Sequence, residues 1–243
     1  LATYERIVTK IKGEHPSDRK VCVDIHNWGE SLLHPDLPKF IEATKKAGLG
    51  CGLSSNFNHN LTRKRLQDIL NAKPDSLRVS LSGYSNESHQ RTHRRGNINI
   101  VKSNLYLLRY MLDRLKSDVQ VEVGYMVYKH NFGRDFVKVR QMCEELRFRF
   151  DWIFAVYMPV EKTIEANYGK YDENDRDLIS QLVIEPKVWK AFADQSDKFR
   201  INTPGDCHLK KMRMAINFDG TVPICCASYS YDNHVAPNFL DVS

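Results

Sequence analysis

No apolar run in the 243 residues approaches the roughly 20 needed to cross a bilayer as a helix, so the chain carries no candidate transmembrane helix. The opening residues Leu1-Ala-Thr-Tyr-Glu-Arg6 are amphipathic and lack the layout of a secretory signal. Without an export signal, the six cysteines at 22, 51, 143, 207, 225 and 226 are not expected to form disulfides, and a reducing, cytoplasmic setting is expected. An initiator Met is missing too, and the chain stops abruptly at Ser243, which reads as a fragment of a longer polypeptide. A large excess of one charge is also lacking: the net charge is +6. The basic groups Arg63-Lys64-Arg65 and Arg91, His93, Arg94 and Arg95 read as solvated helix faces in preference to a nucleic-acid surface. They would also suit a phosphate- or carboxylate-bearing substrate.

What is present is an ordinary globular composition, 42% apolar and 27% charged, enough for one large domain or one domain with a small appendix. Strand and helix patterns alternate along most of it. Helices are expected over 2–12, over 36–47 (Asp36 as N-cap, Pro38 in the first turn, Gly48 past the end), after Thr62, over 99–116 and over 134–147. Strands are expected at 20–27, 49–55, 76–82, 119–128 and 152–160. Cys22 and Cys51 fall in strands and Cys143 on an apolar helix face, so all three read as core residues. The strand starts recur about every 30 residues, the length of a βα unit, which implies a parallel sheet with right-handed crossovers. A helix leads the chain, so a further strand is expected before it. The expected fold is α/β, a partial (β/α)6 barrel resembling part of a TIM barrel, since eight units would need more chain.

After Val160 the rhythm stops. Residues 161–181 are polar and read as a long loop, and 186–197 as one more helix. Lys211–Phe218 and Thr221–Cys225 flank Asp219-Gly220, the strongest short hairpin signal. The expected division is therefore a barrel over 1–199 and a small β-hairpin extension over 200–243.

Two places bear chemistry. The first is Val21-Cys-Val-Asp-Ile-His-Asn-Trp-Gly-Glu-Ser-Leu-Leu33, a strand running into a polar turn before a helix. Loops at the carboxyl ends of such strands hold the ligands of α/β folds, and Gly29 allows a close backbone approach. A plain βα turn would look similar. The second is Cys207, twelve residues, Gly220, four residues, Cys225, with Cys226 adjacent. A hairpin that brings distant thiolates together is a metal-site geometry, although two or three sulfurs do not close a four-ligand site; His208, His234 or residues beyond Ser243 could complete it, and ordinary thiols are the plain alternative.

Taken in order, these motifs resemble the radical S-adenosylmethionine (SAM) enzyme family with a C-terminal SPASM or twitch extension. Cys207, Gly220 and Cys225 match that extension's Cys-x(9–15)-Gly-x4-Cys opening, with Asp219-Gly-Thr-Val-Pro-Ile-Cys-Cys226 and Asn238-Phe-Leu-Asp-Val-Ser243 around it. Asn27-Trp-Gly-Glu-Ser-Leu-Leu33 resembles the family's Gly-Gly-Glu-Pro turn, which holds the amino group of the SAM methionine; here it reads Trp28-Gly29-Glu30-Ser31. Ser54-Ser-Asn56 resembles the Thr-Asn-Gly after the next strand, and Ser80-Leu-Ser-Gly83 the strand end whose hydroxyls face SAM. His93 or Arg94 falls where the family places a polar or basic partner for the SAM carboxylate, and Asn131 ends the strand near the adenosine.

The family's Cys-x3-Cys-x2-Cys loop, which holds the [4Fe–4S] cluster that SAM chelates, is absent from this sequence and is expected upstream of Leu1. The resemblance implies a SAM-cleaving enzyme whose 5′-deoxyadenosyl radical abstracts hydrogen from a peptide, protein or carbohydrate-type substrate. It also implies an auxiliary cluster on Cys207 and Cys225, with Cys226 less firmly placed, and an external electron donor of flavodoxin or ferredoxin type. Two rivals stand beside it: a non-catalytic barrel that binds a nucleotide or partner, and a zinc-binding module built on the hairpin.

Overall fold

The computed structural model describes residues 1–15, 20–155, 213–228 and 234–241. The chain divides into two compact units: Leu1–Val127 with Asn131–Ile153, and Tyr128–His130 with Phe154–Ser243. The expected 161–181 loop, the 186–197 helix, the boundary at 199/200 and Cys207 all lie outside the described residues.

In the first unit the elements run α1 (Ala2–Glu14), β1 (Cys22–Asp24), a 3-10 turn (Ser31–Leu33), α2 (Leu37–Lys46), β2 (Gly50–Ser55), α3 (Arg63–Asn71), β3 (Ser76–Leu81), α4 (Asn86–Gln90), α5 (Ile98–Leu115), β4 (Gln120–Val127), α6 (Arg134–Glu145) and β5 (Arg149–Phe154). The five strands form one parallel sheet in the order β1-β2-β3-β4-β5. Sequential order with helical crossovers is the βα repeat read from the sequence, and the α/β partial barrel is the fold of the chain.

The sheet buries one face. Leu77, Val79 and Leu81 of β3 and Val121, Val123, Tyr125 and Val127 of β4 are buried, against Val101, Leu105, Leu108 and Leu112 on one stripe of α5 and Val139, Met142 and Cys143 of α6. The other face is polar and more open. Parallel register places Asp24, Gly52, Ser76 and Gln120 across it in one row, and Ser54, Arg78 and Glu122 in the next. Paired residues share a face, so one alternating strand fixes the character of its neighbours.

The edge strand departs from expectation. Val21–Ile25 reads as a buried strand with Cys22 in the core, yet β1 is only three residues long and Cys22 is exposed. Among the described residues β1 has a partner on one side only, and it is not enclosed as the interior strands are. Cys51 and Cys143 are buried as expected.

The helix ends follow one pattern. Thr62 caps α3 by accepting the Arg65 amide at 3.1 Å. Asp36 precedes α2 but makes no cap with its side chain; it pairs with Lys39 at 2.8 Å instead. Each of the four crossover helices is followed by a left-handed residue: Gly48 (φ +75°), Lys73 (+59°), Lys116 (+49°) and Arg147 (+56°). Behind three of them the next amide reaches back to the helix, Leu49 to Thr44 O (3.2 Å), Ser117 to Leu112 O (3.0 Å) and Phe148 to Cys143 O (2.9 Å). This is the Schellman closure, which satisfies carbonyls the helix leaves orphaned.

In the second unit the Asp219-Gly220 turn is present. Gly220 (φ +88°) donates to Asn217 O at 2.9 Å, and Thr221 N–H bonds to the Asp219 carboxylate at 3.0 Å. Its strand pairing differs from the hairpin expected from local sequence. Residues 213–217 form no strand, and β6 (Val222–Pro223) pairs antiparallel with β7 (His234–Ala236). Phe239 N–H donates to Gly220 O at 2.7 Å, locking the Asn238–Asp241 segment onto the turn.

Asn104 of α5 tests how the β2 loop is held. Its amide nitrogen donates to Phe57 O (2.8 Å) and His59 O (2.7 Å), and the residue is 5% exposed. Asn104→Ala leaves both carbonyls without that donor, and a loss of about 2 kcal/mol is expected in chemical denaturation. An unchanged midpoint would mean the loop is held by other contacts.

Candidate functional site

The loops that follow β1, β2 and β3 leave the sheet at the same edge, and the residues singled out in the first unit collect there, with Asn131 bonded to the end of β3. The first loop carries Trp28, Gly29 and Glu30. Trp28 is 46% exposed, and a Cβ at Gly29 would meet nothing within 4 Å, so the turn is open to a ligand. Glu30 turns inward: one carboxylate oxygen accepts from Leu32 N–H (3.1 Å), the other from Asn56 N–H (2.9 Å). This carboxylate ties the loop after β1 to the loop after β2. Ser31 reinforces the tie, donating its hydroxyl to Ile25 O at 2.5 Å and lying 3.5 Å from Ser54 O. Charge-assisted bonds of this kind are about twice as strong as neutral ones.

Asn56 spends its side-chain oxygen on Asn58 N–H at 2.9 Å, an Asx turn. Ser54 is half-buried on the polar face, and its hydroxyl makes no hydrogen bond among the described residues. Ser80, two residues beyond Arg78 on the same face, is also half-buried with an uncommitted hydroxyl.

Ser80 and Ser82 do not form the matched pair expected from strand alternation, because β3 ends at Leu81. Ser82 is fully buried, with its hydroxyl 2.5 Å from Thr92 Oγ1 and 2.7 Å from His93 Nδ1. The alternatives His93 and Arg94 thus part company: His93 turns inward to Ser82, whereas Arg94 is exposed and makes no hydrogen bond or ion pair among the described residues. Asn131 is 1% exposed, and its amide nitrogen donates to Ser82 O (2.8 Å) and Met126 O (2.9 Å), bracing the ends of β3 and β4.

Two residues were missed. Thr92 shares the Ser82 hydroxyl, and His89 stacks on His93 with ring centroids 4.3 Å apart and planes 7° from parallel. His89 is fully buried, and neither ring nitrogen has a partner among the described residues. Burial, then proximity to His93, pushes its pKa down to about 4; burial also lowers that of His93. The signal was α4 itself, Ser85 followed by Asn-Glu-Ser-His-Gln, where the Ser85 hydroxyl caps Ser88 N–H at 3.3 Å. With no apolar stripe, that short helix is invisible to periodicity.

In the second unit Cys225 and Cys226 stand beyond the end of β6, so the strand rule that sends neighbours to opposite faces does not apply to them. Cys225 Sγ accepts Ala227 N–H at 3.3 Å. Cys226 is exposed, and its thiol pKa is raised by partial burial and by Cys225 beside it. Among the described residues no group of three His, Cys, Asp or Glu is placed to hold a metal ion, and no helix is long and apolar enough to cross a membrane.

Sheet order, open polar face and loop edge define the class of fold, an α/β partial barrel. Among solved structures the chain is similar to SuiB of Streptococcus suis. Against SuiB bound to S-adenosylmethionine the TM-score is 0.63, with 13% identity over 99% of this chain and 56% of SuiB. Against SuiB bound to the precursor peptide SuiA it is 0.64, with the same identity and coverage. The chain thus spans little more than half the length of SuiB, and at this identity the likeness is one of fold. No protein-family model matches the chain, and no curated protein matches it.

The His89–His93 pair makes stability depend on pH. His89 is held neutral, with a folded pKa below the unfolded value near 6.5, so its contribution is fully present above pH 6.5 and is lost as pH falls towards 4. Unfolding free energy is expected to fall by up to about 1.4 kcal/mol per pH unit in that window, and His89→Phe should flatten the slope. A slope identical in the variant would assign the dependence to other groups.

Proposed function

We propose that this chain is the barrel of a radical SAM enzyme that binds S-adenosylmethionine at the carboxyl ends of β1, β2 and β3. The observation that carries the reading is the Glu30 carboxylate, which joins the open Gly29 turn to the Asn56 loop within a fold shared with SAM-bound SuiB. The residues present fit the ligand. Trp28 and Gly29 leave the turn accessible, Ser54 and Ser80 offer uncommitted hydroxyls on the same face, and the Ser82–His93 pair and Asn131 hold the neighbouring loops in place. Arg94 remains available for a carboxylate from the exposed turn after β3.

In this reading SAM, when bound with a reduced cluster, supplies the hydrogen-abstracting radical. Among the described residues no group of three His, Cys, Asp or Glu is placed to hold such a cluster, so no step is assigned to residues of this chain through it. What these residues do is bind and orient SAM and close the loop edge around it. The substrate class is a peptide, by analogy with the SuiA complex of SuiB, with a carbohydrate-type metabolite as the other member of the proposed range. An auxiliary cluster on Cys207 and Cys225, in a SPASM or twitch extension, and a flavodoxin- or ferredoxin-type donor complete the proposal. The Ala227 N–H bond to Cys225 Sγ favours Cys225 over Cys226 as the ligand, since amide bonds to sulfur tune cluster thiolates.

Calorimetric titration with SAM tests the site. Gly29 has no positive φ and open space around its Cβ position, so Gly29→Val should fold normally yet bind SAM at least tenfold more weakly. Equal affinity in both proteins would remove the site from Trp28–Glu30.

Iron and sulfide analysis after anaerobic reconstitution tests the extension. Cys225→Ala is expected to lose its iron and sulfide and Cys226→Ala to keep them. The reverse result would exchange the two assignments, and zinc without sulfide would favour the metal-module reading.

A further inference from the structure

The polar face of the sheet holds a charged layer where a closed barrel would carry packed aliphatic side chains. Arg78 of β3 donates Nη1–H to Glu122 of β4 at 2.7 Å. Its Nη2 lies 3.7 Å from Asp151 Oδ2, beyond hydrogen-bond reach, and Arg149 Nε lies 3.2 Å from the other Glu122 oxygen. Arg78 makes no further hydrogen bond among the described residues, so its Nε and Nη2 donors have no acceptor. Those two form the fork that takes a carboxylate through two parallel bonds.

The fork opens over Gly124. A Cβ built there would stand 2.5 Å from Nε, 2.5 Å from Nη2 and 2.7 Å from Cζ. Any side chain at 124 would therefore fill the mouth of the fork; glycine leaves it clear. The same device recurs at Gly52, where a Cβ would stand 2.1 Å from Asp24 Oδ1. The Arg78 side chain is 40% exposed, and Met126 and Ile153, large apolar residues of the flanking strands, are 37% and 42% exposed. A few fixed polar groups beside apolar side chains is the composition of a ligand chamber, whereas a purely structural ion pair would have no use for an open fork.

We infer that Arg78, over Gly124, is a carboxylate anchor on the open face of the sheet, and that the substrate taken there presents an acidic side chain or a free terminal carboxylate. Glu122 holds the guanidinium through Nη1, and Asp151, 3.7 Å from Nη2, accepts no hydrogen bond from the fork. The inference deepens the proposed function, since it names the chemistry of the substrate, but the anchor itself needs no SAM to bind.

The test uses the full chain with 15N-labelled arginine and follows the Arg78 Nε–Hε resonance, assigned by its disappearance in Arg78→Lys. The probes are N-acetyl-glutamate N-methylamide for a side-chain carboxylate, N-acetyl-alanine for a terminal one, and N-acetyl-glutamine N-methylamide as the neutral control. A saturable shift is expected with one or both acids, identifying the source by which responds, and none with the amide. In Gly124→Ala the methyl need displace only the flexible end of Arg78, so the protein should fold with an unchanged melting temperature. Its affinity for the acid should fall about 10- to 100-fold. No saturable shift, an equal shift with the glutamine probe, or undiminished affinity in Gly124→Ala would overturn the anchor. SAM titration of the same labelled wild-type chain separates the two ideas. SAM binding with a silent Arg78 refutes the anchor and leaves the proposed function standing; an Arg78 response without SAM binding does the opposite.

Discussion

A parallel strand must be followed by a crossover before the chain can pair again, and this constraint governs the first unit. Each return brings the next strand in beside the last, so every loop after a strand leaves at one edge and every helix covers one face. The register then decides chemistry. Because Ser54, Arg78 and Glu122 lie opposite one another, a single polar choice on β3 is matched on both sides, and the uncovered face becomes a continuous polar surface. The Glu30 carboxylate exploits the common edge: two amides separated by 24 residues of chain meet on one side chain because their loops emerge side by side.

Much of the fold was legible because apolar spacing switches cleanly between periods of two and 3.6, and because Thr62, Gly48 and Asp219-Gly220 are punctuation with a local mechanism. What could not be read depends on partners distant in sequence. Cys22 sits in an apolar run, but in β1 it shares the open polar face with Asp24. Val222 and Pro223 looked like half of a tight hairpin, yet their partner is His234–Ala236, a pairing that no local rule specifies.

The candidate site was legible as a set of loops and less so as a set of roles. Trp28-Gly29-Glu30 was found, but that Glu30 would be taken up by Leu32 and Asn56 amides is a three-dimensional fact. Ser80 and Ser82 looked alike until the strand ended between them. The alternation Ser76-Leu-Arg-Val-Ser-Leu81 was in plain view; a strand covered on both faces should read as an unbroken apolar run, so a charge at Arg78 already marked one face as open.

The left-handed residues after the four crossover helices carry a consequence for tinkering with this protein. They lie where helices hand over to the amino-terminal ends of β2, β3, β4 and β5, the opposite rim from the ligand loops. At three of the four a cation stands where glycine would be the relaxed choice, setting backbone ease against attraction to the negative end of the helix. Durability is thus adjusted on one rim and recognition on the other. A lineage, or an engineer, can harden the scaffold for heat without retuning what it grips.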